Sequence, residues 1–248
     1  MKKLLSISAL AVAAAFAFAG NASAADMPVK AAPLPPPPVY SWTGIYGGMY
    51  AGGEWDNADG SFVFPPPATW SLGHSAGILG YMSGGQIQFN QFVVGVESNF
   101  FTTIGNSASD TCHPPASCVA GATFTGRLNH VASAGGRLGW AWNQVMLYGT
   151  GGWARGQFEE TFAVPPAVAG SAYQFHSNGW YAGGGIDWQA MKNFVVGVEY
   201  RHYEFDNVGG VVPSVTGAVN TANFSNLKAD TVQVRFSYLF NPFPMLLH

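Results

Sequence analysis

FVVGVE stands at 92–97 and again at 194–199, and what precedes each copy decides the fold. Before the first copy run GILGYMSGGQIQF (77–89) and the pair Asn90-Gln91. Before the second run WYAGGGIDWQA (180–190) and Met191-Lys192-Asn193. Each unit is an alternating segment, a short polar turn and a second alternating segment, which is the pattern of a β-hairpin. Between them NHVASAGGRLGWAW (129–142), Asn143-Gln144 and VMLYGTGGWARGQF (145–158) form a third hairpin. Three hairpins make six strands. WTGIYGGMYAGGEW (42–55) adds a strand before them and DTVQVRFSYLF (230–240) one after, for eight. No helical periodicity persists from Trp42 onward.

The connections fall into two sets. Three are two or three residues long. Four, at 56–74, 105–122, 162–175 and 207–227, are long and rich in Pro, Gly, Ser and Asn. Strict alternation of short turns with long loops is the pattern of outer-membrane barrels, with the short turns in the periplasm. A soluble eight-stranded barrel follows no such rule. The expected fold is therefore all-β, an eight-stranded antiparallel up-and-down transmembrane β-barrel. Closure is obligatory, because in hydrocarbon every backbone N–H and C=O needs a partner and an open sheet has two bare edges.

Alternation also assigns faces. In the last strand Val232, Val234, Phe236, Tyr238 and Phe240 share one face, and Thr231, Gln233, Arg235, Ser237 and Leu239 the other. Phe194, Val196, Val198 and Tyr200 likewise oppose Val195, Gly197, Glu199 and Arg201. Leu128, Leu138, Trp140 and Trp142 oppose Arg127, Asn129, Arg137 and Gly139. Charges lie opposite the apolar row each time, so the apolar rows are placed against lipid. Glu97, Arg127, Arg137, Asp187, Glu199, Arg201 and Arg235 are placed in the lumen. Trp140, Trp142, Phe194, Tyr238 and Phe240, near strand ends, are assigned to the periplasmic aromatic girdle.

Composition agrees. Charged residues are 9% of the 248, against about 25% in soluble domains, while Gly (32) and aromatics (15%) are high. That is too little charge for the polar skin of a soluble domain. Mean hydropathy is only +0.13, too low for a bundle of membrane helices. Alternating faces in a barrel average out in this way.

The start of the chain reads as an address. Met1-Lys2-Lys3 is a basic head, Leu4 to Gly20 an apolar run, and Ala22-Ser23-Ala24 a small-x-small cleavage site, so residues 1–24 are expected to be a signal peptide. An uncleaved helical anchor is the alternative. Without Lys2 and Lys3 the chain keeps eight basic residues against thirteen acidic ones, with no basic run, which excludes nucleic acid as an expected partner. Residues 25–41 hold six prolines between Met27 and Val39 and read as an extended periplasmic spacer, or less simply as a docking ligand. The barrel follows at 42–240 and a tail at 241–248. Cys112 and Cys118 can close a small loop disulfide in an oxidising compartment. With His113 they make three candidate ligands and no fourth, so no metal is expected, and no cofactor either.

Taken together, the signal peptide, the Ala-Asp start, the Pro-rich spacer, WTGIYGG (42–48), two GVE hairpins and RLGWAW…LYGTGGWA (137–154) resemble the alphaproteobacterial porin-family outer-membrane proteins of the OmpA-like eight-stranded barrel superfamily. The resemblance covers nearly the whole chain. It implies a cell outer-membrane location, lipid and lipopolysaccharide as surroundings, and insertion by the barrel-assembly machinery. Members usually end on a terminal Phe, whereas here Phe240 is followed by NPFPMLLH. Two prolines there argue against a ninth strand.

Three functions are weighed. Eight strands enclose a lumen just wide enough for side chains to fill, so mixed inward charges suit an ion-paired plug, a structural or surface role, and external loops that meet host, phage or neighbouring cells. The alternative is a narrow porin with the same charges at a constriction. A lipid-acting enzyme would need a nucleophile, a base and an orienting group on one face. His176-Ser177 cannot supply this, because adjacent strand residues face opposite ways. His130 and Ser133 are also assigned to opposite faces, and His202 has no serine partner. No catalytic residue is expected. Glu159-Glu160 and Asp206, near outer strand ends, are read as a solvated rim, the alternative being carboxylates that bind divalent ions bridging lipopolysaccharide.

Overall fold

The computed structural model describes residues 40–62, 68–105, 107–111, 123–163, 171–213 and 219–241. The signal peptide, most of the spacer, Cys112, His113, Cys118 and the tail beyond Asn241 lie outside them. Eight long strands form the wall: β1 (Gly44–Phe62), β2 (Ala68–Phe89), β3 (Phe92–Ile104), β5 (Thr123–Trp142), β6 (Val145–Ala163), β7 (Ser171–Met191), β8 (Phe194–Phe205) and β10 (Val219–Phe240). Two short ones, β4 (Ala108–Thr111) and β9 (Val208–Pro213), extend the rim by pairing with β5 and β10. All neighbours are antiparallel, and β1 pairs with β10 from Ile45↔Phe240 to Phe62↔Ala222, which closes the ring.

The tight turns are asparagine turns. Asn90, Asn143 and Asn193 sit at φ of 55°, 54° and 76°. Asn is among the few non-glycine residues that tolerate this left-handed region, which the two-residue hairpin turn requires. The other end differs from expectation. Within 56–74, 162–175 and 207–227, read as loops, residues 56–62, 68–74, 162–163, 171–175, 208–213 and 219–227 are strand. Six of the eight strands run 19–22 residues, and the shorter β3 and β8 are followed on the same partners by β4 and β9; at about 3.3 Å per residue and a tilt of about 40° the wall is roughly 50 Å tall. A barrel's apolar band needs about half of that. The barrel therefore continues well past the lipid on its loop side.

Orientation follows the alternation. Val96 and Leu138 are each 66% exposed, and Met49, Val198, Val234 and Phe236 also face outward, while Glu97, Arg201 and Arg235 are buried. Trp142, Tyr238 and Phe240 are exposed beside the tight turns, with Trp140 and Phe194 part-exposed there. Inward glycines make room for rings from the next strand. A Cβ on Gly80 would lie 2.4 Å from the Tyr50 ring, and one on Gly84 2.6 Å from that of Tyr46.

Besides a register shift between Gln189 and Met191 at the β7–β8 turn, two bulges higher in the wall alter the pattern. In β5, Leu128 pairs with Phe158 but His130 with Gln157, so Asn129 is an extra residue. In β10 the register slips near Asn226, at φ 55°. A one-residue insertion exchanges the faces beyond it. Below Asn129 the inward residues are Val131, Ser133 and Arg137, and above it Phe124 and Leu128. Arg127 is therefore not a lumen charge. It lies on the outer face, its side chain 38% exposed, paired with Glu159 at 3.2 Å. Leu128, assigned outward from the sequence, is fully buried inside. Asn129, assigned inward, is part-exposed and bonds Glu159 at 3.2 Å.

The assigned faces predict the cost of a charge. Val234→Arg, at the middle of the apolar band, is expected to lower folding stability in bilayers by about 2–4 kcal/mol. Thr69→Arg, on the outer face near the loop rim, is expected to change it by less than about 0.5 kcal/mol. Chemical denaturation of the two variants beside the parent chain measures both.

Candidate functional site

The lumen is filled in three layers. At the turn end, Trp42 lies just before β1 and is 1% exposed, packed with Val93, Met146, Tyr148 and Val195. Its Nε1 donates to the Asn143 carbonyl at 3.1 Å and its backbone N–H to Gln88 Oε1 at 2.9 Å. The Gln189 amide donates to the Ser41 carbonyl at 3.0 Å. The end of the Pro-rich segment thus folds into the barrel mouth as a cork. The sequence places Trp42 on the first strand, but β1 begins only at Gly44, so strand alternation does not govern where this side chain points.

The middle layer is ionic. Glu97 on β3 receives Arg201 at 2.6 Å, Arg137 at 3.7 Å and also Arg235. Tyr46 OH donates to Glu97 at 2.7 Å and the Asn99 amide at 3.0 Å. Glu199 binds Arg201 and Arg235, and accepts from Tyr148 OH at 2.5 Å and from Gln233 at 3.1 Å. Asp187 pairs with Arg137. Three guanidiniums meet three carboxylates, so the layer is formally neutral. Aromatic faces complete it: the Arg137 guanidinium lies 3.6 Å from the Tyr148 ring centre and that of Arg201 4.9 Å from Tyr181. Cations over such faces gain further stabilisation when desolvated. Buried charges persist only when paired and hydrogen-bonded in this way. Of the seven charges placed in the lumen from the sequence, six meet here and Arg127 does not.

The outer layer is apolar and was not read from the sequence. Trp70 stacks on Phe124 at 4.4 Å, Phe175 on Phe224 at 4.4 Å and Phe158 on Phe175 at 5.3 Å. Leu72, Leu128, Tyr203, Phe205 and Leu227 join them. Above the lipid the outer wall faces water, so this part needs an apolar core like any soluble barrel.

Other candidates are separated. His176 is exposed while Ser177 is 2% exposed and inward, bonded to the Asp206 carbonyl at 2.6 Å. His130 stacks outside on Phe100 while Ser133 is buried within. His202 Nδ1 meets Asp230 at 2.8 Å. Glu160, read as a solvated rim residue, is instead 4% exposed and faces the lumen beyond the lipid, whereas Glu159 faces outward. Burial raises the Glu160 carboxyl from 4.5 to about 8.

Removing one member of the ionic layer strands its partners, so Arg137→Ala is expected to cost about 3–5 kcal/mol. Arg127→Ala, which breaks a part-exposed pair, is expected to cost less than about 1 kcal/mol. Urea denaturation of refolded protein reads the contrast. Glu160 gives a pH signature. Its folded pKa exceeds the unfolded one, so the folded state holds more protons between the two values, and stability falls as pH rises from 4.5 to about 8. Glu160→Gln should therefore raise the urea midpoint relative to the parent at about pH 9, and the gain should vanish below about pH 4.

Comparison with known proteins fits this architecture. The family described as "Outer membrane protein beta-barrel domain" matches residues 8–240. The 25 kDa outer-membrane immunogenic protein of Brucella ovis is 30% identical over 208 residues, covering 84% of this chain and 91% of its own. The 31 kDa outer-membrane immunogenic protein of Brucella melitensis is 28% identical over 234 residues, covering 87% and 92%. The crystal structure of the outer membrane protein OprG from Pseudomonas aeruginosa shares the fold, with a TM-score of 0.52 at 8% identity, covering 82% of this chain and 99% of that one. A wall of eight strands, greasy outside and charged within, over a sequence match of this extent leaves one conclusion: the chain belongs to the outer membrane protein beta-barrel domain family and resides in the cell outer membrane.

Proposed function

We propose that this protein is a non-catalytic, surface-displayed barrel whose lumen does not conduct. The observation that carries the reading is the filled interior: Trp42 at one mouth, a neutral network of three arginines and three carboxylates at membrane level, and stacked aromatic rings above it. A continuous water path would require open space through all three layers. The tight asparagine turns then lie in the periplasm and the tall rim outside the cell, the sidedness such barrels share. The described rim strands stand above the lipid, where this end of the barrel can meet host, phage or neighbouring-cell surfaces. Two curated relatives carry "immunogenic" in their names, which fits display at the surface. Lipid and lipopolysaccharide surround the wall, with Trp140, Trp142, Phe194, Tyr238 and Phe240 as its periplasmic girdle, and barrel-assembly machinery inserts it.

A narrow porin is the competing reading, with the same arginines and carboxylates at a constriction. Planar-bilayer recording in molar KCl separates the two. The filled lumen predicts no sustained unitary steps from the wild type. Reproducible, long-lived steps would favour the porin. Steps that appear only in a variant lacking Trp42, Arg201 and Arg235 side chains would instead identify the plug.

A further inference from the structure

Between the ionic layer and the aromatic rings lies a second charged group that the neutral network does not serve. Glu54 and Asp56, two residues apart on β1, both face the lumen, and His74 on β2 pairs directly with Asp56 across the ladder. Their ligand atoms all lie within 4.8 Å of one another. His74 Nδ1 stands 3.6 Å from Glu54 Oε1 and 3.9 Å from Asp56 Oδ2, too far for a hydrogen bond. The Glu54 side chain is 0% exposed, yet neither of its oxygens has a hydrogen-bond partner. His74 Nδ1 also lacks one, as does the buried hydroxyl of Thr231, the residue opposite Glu54 on β10.

Two buried carboxylates with at most one imidazolium are not electrically balanced. Arg137, Arg201 and Arg235 are already committed to Glu97, Glu199 and Asp187. A fully buried carboxylate without hydrogen bonds is costly, and a bound cation is one of the few remedies. The spacing suits one. Ligand atoms about 2.0–2.2 Å from a tetrahedral Zn2+ stand about 3.4 Å from one another, close to the 3.6 and 3.9 Å found here.

We infer that Glu54, Asp56 and His74 form a divalent transition-metal site, matched best to Zn2+, at the outer end of the lumen. Each carboxylate supplies an oxygen and His74 its Nδ1. The fourth position falls to water or to the Thr231 hydroxyl. An imidazole beside two carboxylates favours Zn2+ over Mg2+, which prefers all-oxygen shells and gives up its water reluctantly. The Leu128 backbone N–H, 3.4 Å from Asp56 Oδ2, orients that carboxylate from β5. The ion would tie β1 to β2 just where the barrel passes from lipid to water.

The test uses the untagged full-length barrel, refolded in detergent with and without Zn2+, freed of loose metal by desalting and measured by elemental analysis. Because the side chains of Glu54, Asp56 and His74 are largely buried, metal is offered during refolding as well as after it. The expected result is one Zn2+ per chain for wild type and for a His176→Ala control. Glu54→Gln and His74→Ala, checked for folding by their gel mobility shift, should weaken zinc affinity more than about tenfold against a chromophoric chelator. Equal retention by folded Glu54→Gln and wild type, displacement of Zn2+ by excess Mg2+, or no retention by wild type refolded with Zn2+ would each overturn the assignment.

Discussion

Everything in this molecule answers to one constraint: a backbone in hydrocarbon must pair all of its own polar groups. Eight strands satisfy it only by joining β1 to β10. That closure fixes a narrow bore, and a narrow bore must be filled with side chains. Alternation then supplies the filling. Every second residue is delivered to the centre, and those delivered at membrane level carry three positive and three negative charges from β3, β5, β7, β8 and β10. Strands distant in sequence are thereby locked to one another. Glu97 alone meets guanidiniums from three other strands.

The same wall passes through two solvents, and its interior changes accordingly. At lipid level the outside is greasy and the inside ionic, held by Tyr46, Tyr148 and Tyr181 against the arginines. Above the lipid the outside is water-facing and the inside is Trp70, Phe124, Phe158, Phe175 and Phe224. The rim is thus a soluble barrel set on a membrane one.

This inversion explains what could and could not be read from the sequence. The membrane half was legible. In VQVRFSYLF (232–240) every second residue is a large apolar one and the charge lies on the other face, and each tight turn carries an Asn at positive φ. The rim read as loop because its strands face water with Ser, Thr, Asn and Asp and hold glycines inside, which mimics loop composition. The misplacing of Arg127 has a more particular cause. Passing from lipid to water exchanges which residue type belongs inside, and the extra residue at Asn129 exchanges the faces once more. The two reversals cancel, so charged Arg127 and apolar Leu128 keep the parity of Arg137 and Leu138 while standing on opposite sides of the wall. Nor could spacing reveal the pairing of Glu54 and Asp56 with His74, since that depends on the register between β1 and β2.

A nitroxide scan along β10 examines this arrangement most directly. Single cysteines from 221 to 240, spin-labelled in liposomes of a cysteine-free parent, report collision with oxygen dissolved in lipid and with a water-soluble nickel chelate. Positions 232, 234, 236, 238 and 240 should show high oxygen access, with 231, 233, 235 and 237 shielded from both. Beyond Asn226 the shielded positions should become the even ones, 222 and 224, with nickel access at their neighbours. The opposite phase between 231 and 240, or no change of phase across Asn226, would contradict the account.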